Sequence, residues 1–162
     1  MIGHDIVDLK QARQESNWRR RGFLDKLFTD NEQMMILKSD HPEQKVWELW
    51  SRKEAAYKIY NRQTKIRAFI AKQLECADIA GFAYGIVTLG QNIYFTKTTI
   101  IGEKIESIAV LDLKDFEKIA VVSDRFIAKD SDGIPFHKFN KNPISISHHG
   151  RFEKKIQLER NA

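Results

Sequence analysis

Cysteine is nearly absent from this 162-residue chain: Cys76 stands alone, so no disulfide can form within it, and a reducing cytoplasmic setting is expected. Proline is equally scarce, at three residues, and no Pro-, Gly- or Ser-rich stretch divides the chain. One domain spanning 1–162 is the expectation, with enough residues for a real core and too few for two. No apolar run is long enough for a membrane span, so no membrane partner is expected. The opening MIGHDIVDLK lacks the apolar stretch of a secretory signal and carries Asp5 instead. Charge of one sign is in surplus: 27 Lys and Arg against 22 Asp and Glu give a net +5 and a pI near 9.3. That surplus favours an anionic partner without choosing among nucleotide, nucleic acid and acidic protein. The basic residues are spread out, apart from the run Arg19-Arg20-Arg21.

Periodicity divides the chain into a helical first half and a strand-rich second half. Ile2 to Leu9 reads as a strand, and Asn17 to Leu27 as loop or short helix. Thr29 and Glu32 have capping-box spacing, which starts a helix over about Asp30 to Lys38. After the break at Ser39 to Pro42, Val46, Leu49, Trp50, Lys53, Tyr57 and Tyr60 recur at helical spacing, predicting a long helix from Glu43 to Tyr60. Strands are expected at Phe82 to Leu89, Asn92 to Thr98, Lys104 to Leu111, Ile119 to Ser123, Ile144 to Ser147 and Phe152 to Leu158. Turns fall at Gly90-Gln91-Asn92 and Asp132-Gly133. Helices followed by antiparallel strands predict an α+β fold, with an antiparallel sheet packed against the one long helix.

Glu54 and Lys58 stand four apart on that helix and meet on one face, with Trp50 a turn earlier. By itself such a pair is an ordinary surface ion pair. The segment Trp50-Ser51-Arg52-Lys53-Glu54-Ala55-Ala56-Tyr57-Lys58 closely resembles the W/F-[ST]-x-K-E-[AS]-x-x-K signature of the 4'-phosphopantetheinyl transferase superfamily. The resemblance implies transfer of the phosphopantetheine arm of coenzyme A onto a serine of an apo-acyl or peptidyl carrier protein, with release of 3',5'-ADP. It implies Glu54 as magnesium ligand and base, Lys58 as a catalytic phosphate contact, and Lys53 as a further contact to coenzyme A. The chemistry suits these residue types: such a transfer depends on positioning and charge neutralisation, and magnesium prefers one or two carboxylates plus phosphate and water oxygens. A second carboxylate is then needed.

Gly3-His4-Asp5-Ile6-Val7-Asp8 resembles the family's G-[IV]-D-I-[VE]-E opening strand, which makes Asp5 the second metal ligand. Asp8 falls on the opposite face of an extended strand. His4, where Ile, Val or Thr is usual, faces away from Asp5 as a packing or surface change. Pro143-Ile144-Ser145-Ile146-Ser147-His148 resembles the family's [FIV]-S-[IL]-S-H stretch, implying that Ser147 and His148 hold phosphates of coenzyme A. His149 has no counterpart in that pattern.

The motif order, with Asp first, KEA next and SISH last, resembles the small holo-acyl-carrier-protein synthase branch. That branch implies a homotrimer, with Asp5 and Glu54 from one chain and Ser147 and His148 from its neighbour. The chain departs from the branch after Lys58, where Ile59 to Lys65 contains no glycine, and at Ile134, which replaces a basic residue. Two other classes stay open: a binding-only relative without turnover, and a basic nucleic-acid module in which Trp18 stacks beside Arg19 to Arg21. No nucleic-acid-binding domain motif accompanies the second.

Overall fold

The structure, a computed structural model, describes residues 1–159. It opens with strand β1 (Ile2–Asp8), which passes directly into helix α1 (Leu9–Glu15). The switch happens at Asp8, whose carboxylate accepts from the Lys10 backbone N–H at 3.0 Å and caps the helix. Sequence periodicity gave no sign of α1, because seven mixed residues are too few to establish a period. Helix α2 (Phe23–Leu27) is short, and α3 (Asp30–Leu37) starts on the capping box that the spacing predicts, with Thr29 and Glu32 bonded reciprocally.

Helix α4 (Pro42–Thr64) is longer than predicted at both ends. Pro42 occupies its first turn, where the missing N–H costs nothing. At the other end there is no loop after Lys58. The helix carries on for six residues and reverses only at Lys65, which has φ 62°.

Beyond α4 come β2 (Glu75–Asp78), β3 (Gly85–Leu89), β4 (Asn92–Ile101) and β5 (Lys104–Val110). With β1 they form a fully antiparallel sheet in the order β1-β5-β4-β3-β2, so β1 is an edge strand. Strand β2 escaped the sequence reading because it is only four residues long. The predicted turn is present between β3 and β4, with Gly90 at φ 59°.

Strand β6 (Ile119–Val121) belongs to a second sheet. A small ribbon of β7 (Ile127–Lys129) and β8 (Pro135–His137) follows, around the turn at Gly133. The chain ends in a hairpin of β9 (Ile144–His149) and β10 (Phe152–Leu158), which completes the second sheet in the order β6-β10-β9. The α+β expectation therefore holds, with a second small sheet added.

The main core lies between α4 and the five-stranded sheet, built on Val46, Leu49, Ala55, Ala56, Ile59, Val87, Tyr94 and Ile105. Approach is closest at Gly3, where an added Cβ would lie 1.8 Å from the Ala55 carbonyl oxygen. The other face of β1 and β5 is covered by the hairpin, with Ile2, Ile156 and Leu158 buried between them. Strand β1 is thus sandwiched between the helix and the last hairpin.

Candidate active site

Alternation along β1 sends Gly3, Asp5 and Val7 toward α4, and His4, Ile6 and Asp8 toward the hairpin side. Asp5 therefore meets the face of α4 that carries Trp50, Glu54 and Lys58. Asp5, Glu54 and Trp50 line one cavity of about 370 Å³, with an apolar wall that includes Trp47 and Phe23.

The two carboxylates raise one another's cost of ionisation. Burial, and then the charge of Asp5, pushes the Glu54 carboxyl from 4.5 up to about 7, with Lys58 opposing. Burial also raises Asp5, against the pull of Lys58. The Lys58 ammonium lies 3.7 Å from Asp5 Oδ1. It donates to the His4 carbonyl at 2.5 Å and to Ser147 Oγ at 2.8 Å, while Ser147 Oγ donates to the same His4 carbonyl at 2.6 Å. One cation thereby ties the free edge of β1 to β9.

Asp5, Glu54, Lys58 and Ser147 are therefore brought together, and within one chain. Strand β9 packs along β1 of the same molecule, so this chain's own Ser147 and His148 lie beside its Lys58 and its cavity. His148 lies exposed at the cavity rim and makes no hydrogen bond among the described residues.

Lys53 does not join them. At about 100° per residue it is turned a quarter of the helix away from Glu54. Its ammonium is buried and donates to the Leu27 and Ala71 carbonyls, each at 2.8 Å, and to Glu32 at 2.6 Å. With all three protons engaged it has nothing to offer a ligand. Lys53 locks α4 to the start of α3 and the turn before β2, which corrects its expected contact with coenzyme A.

His4 is a buried packing residue, bonded through Nε2 to Glu106 at 3.2 Å. That contact holds Glu106 down to about 2, and burial lowers His4. Asp8 belongs to a clamp on the hairpin turn. It accepts from the Arg151 backbone N–H at 2.9 Å, from Nε at 2.8 Å and from Nη2 at 2.7 Å, which holds its carboxyl well below the usual carboxylate range. Gly150 makes room, since a Cβ there would lie 2.5 Å from Asp8 Oδ2. Trp18 is buried under Arg19, 4.3 Å from its ring centroid, and offers no open face for base stacking.

Lys58 also borders a second cavity of about 300 Å³, lined by Arg62, Arg67 and Lys129. Arg62 lies on the part of α4 that continues past Lys58, and its Nε is buried without a hydrogen-bond partner. Asp5 and Glu54 are the two carboxylates that this chain's first cavity offers to a cation. Among the described residues no group of three or more His, Cys, Asp and Glu side chains could hold an ion unaided. Two half-buried carboxylates that repel one another fit a cation that draws its remaining ligands from substrate and water.

Comparison with known proteins gives a consistent picture. A family model described as ACPS, 4'-phosphopantetheinyl transferase superfamily, matches residues 1–106. No curated protein matches the chain. Among solved structures, holo-[acyl-carrier-protein] synthase from Neisseria meningitidis is similar, with a TM-score of 0.52 and 14% identity, over 68% of this chain and 96% of that one. The apo form of the protein from "Chronobacterium ammoiniagenes" gives a TM-score of 0.53 and 14% identity, over 67% and 93%. The holo-[acyl-carrier-protein] synthase of Thermotoga maritima gives 0.52 and 11%, over 96% and 81%. At these identities the structures speak for the fold, which is theirs.

Proposed function

Because the chain belongs to the 4'-phosphopantetheinyl transferase superfamily, we propose that it transfers 4'-phosphopantetheine from coenzyme A to a serine of an apo-acyl or peptidyl carrier protein, with magnesium, releasing 3',5'-ADP. The observation that carries this reading is the half-buried pair Asp5 and Glu54, flanked by Lys58, at the junction of two cavities. One cavity is acidic and apolar-walled, and the other is cationic.

In the proposed reaction the serine oxygen bonds to the phosphorus that carries pantetheine, and the bond to the leaving 3',5'-ADP breaks. Magnesium held by Asp5 and Glu54 would neutralise charge on the diphosphate. Lys58 adds a fixed positive charge at the same point and keeps Ser147 oriented. The Glu54 carboxylate, lining the cavity beside Asp5, is the group placed to take the serine proton. Trp47 and Trp50 keep water from the reacting phosphorus. Arg62, Arg67 and Lys129 supply charge for the phosphorylated nucleoside end of coenzyme A. The net charge of +5 suits an acidic carrier, whether of fatty-acid biosynthesis or of secondary metabolism. Homotrimeric assembly in the cytoplasm belongs to the same proposal, as an assembly of complete sites.

Incubation with coenzyme A, magnesium and apo-carrier should add one phosphopantetheine to the carrier, read by intact-protein mass spectrometry. No added mass across a panel of acyl and peptidyl carriers defeats the proposal.

A further inference from the structure

Strand β9 ends in two histidines, and alternation turns them to opposite faces. Ser147 and His149 share the face that meets β1, and His148 shares the other with Ile146. The register with β10 agrees: Ser147 lies opposite Lys154, whose ammonium reaches Glu106 on the five-stranded sheet. The histidine on the working face is therefore the one outside the recognised motif.

Both ring nitrogens of His149 are committed. Nδ1 accepts from the Asp8 backbone N–H at 2.8 Å, so it carries no proton, and the proton of the neutral ring sits on Nε2. Nε2–H donates to Glu15 Oε2 at 3.1 Å. Glu15 is the last residue of α1, and its side chain is 52% exposed. His149 and Glu15 line the same cavity as Asp5 and Glu54, and the charge of His149 is felt at Asp5.

This arrangement excludes one role and leaves another. The lone pair of His149 is occupied by Asp8 N–H, so the ring can take a proton from a nucleophile only by leaving that backbone donor unpaired. A donor role remains. As carboxylates holding a cation, Asp5 and Glu54 bring only acceptors to the cavity. The protons of Lys58 are shared among the His4 carbonyl, the Ile146 carbonyl and Ser147. An anionic group entering the cavity needs a donor, and Nε2–H of His149 is held only by one exposed carboxylate on a helix end.

We propose that His149 is the imidazole donor of this site, its Nε2–H leaving Glu15 for an oxygen of the coenzyme A diphosphate. The inference rests on the proposed function for the identity of that anion. The Asp8 clamp fixes both the tautomer and the direction of the bond, so the ring is oriented before the ligand arrives.

Four substitutions test it, in the full chain with magnesium in excess and coenzyme A titrated calorimetrically. His149→Asn keeps an acceptor for Asp8 N–H and removes the Nε2 donor. It should weaken coenzyme A binding about tenfold or more, the usual loss for a hydrogen bond to a charged group, with the melting temperature near that of the parent. His149→Gln returns a donor at the Nε2 position and should recover part of the loss. Glu15→Ala removes the competing acceptor and should tighten binding. His148→Asn is the comparison and should lose less than His149→Asn. If the parent binds coenzyme A and modifies a carrier while His149→Asn binds equally well, or if His148→Asn loses as much, this inference fails alone. If the parent binds no coenzyme A, the underlying function fails and the inference with it.

Discussion

Replacing Glu54 by glutamine should stabilise the metal-free protein, by an amount that grows with pH. Burial and the charge of Asp5 carry the Glu54 carboxyl from 4.5 to about 7, so the folded chain holds this proton more tightly than the unfolded one. Below about pH 4 both states are protonated and the site costs nothing. Between there and about pH 7 the unfolded chain has released its proton and the folded chain has not, so stability falls as pH rises. Above about pH 7 both are ionised and the whole cost stands. At about 1.4 kcal/mol for each pH unit, that cost is about 3 kcal/mol. Glu54→Gln cannot ionise, so near pH 8 it should exceed the parent by about 3 kcal/mol, and near pH 4 the two should coincide. Asp5 is raised as well, chiefly by burial, so its own ionisation adds a pH-dependent cost that both proteins share. Urea unfolding of both proteins in EDTA, across this pH range, measures the difference directly. Excess magnesium at about pH 8 should then stabilise the parent and leave Glu54→Gln unmoved. A stability difference that stays flat with pH, or that shrinks toward alkaline pH, refutes the reasoning.

Two further substitutions probe how the site is held. Lys53→Met leaves the Glu32 carboxylate buried without its cation and should cost about 3–5 kcal/mol in urea unfolding. If Lys53→Met instead keeps its stability and loses only coenzyme A affinity, the assignment of Lys53 to the framework is wrong. Gly3→Ala drives a methyl into the Ala55 carbonyl and should cost on the order of 3 kcal/mol; an unchanged melting temperature would show that β1 and α4 can separate freely.

Much of the site was legible because its chemistry is written in short, local patterns. Glu54 and Lys58 meet because of helical spacing, and the capping box at Thr29 and Glu32 starts α3 where it predicts. What stayed hidden depends on residues far apart in the chain. Lys53 sits inside the recognised signature, yet its acceptors come from positions 27, 32 and 71, and no local pattern says that a cage will close around it. His149 fell outside the signature, although strand alternation alone pairs it with Ser147. The Asp8 clamp that fixes its ring spans 141 positions and is invisible in sequence. The helical spacing runs out at Tyr60, so the last turn of α4, to Thr64, has no apolar period to announce it. The chain offers Arg62 on that turn.

The stitching of β1 to the final hairpin also has a consequence for biosynthesis. Asp5 leaves the ribosome well before Ser147, His149 and Arg151. The family-matched segment, residues 1–106, can be fully extruded and still lack Ser147 and Arg151, the hairpin partners of Lys58 and Asp8. During translation the enzyme should therefore stay silent until its last hairpin docks. Completion of the site is then a late folding step, set by the docking of that hairpin.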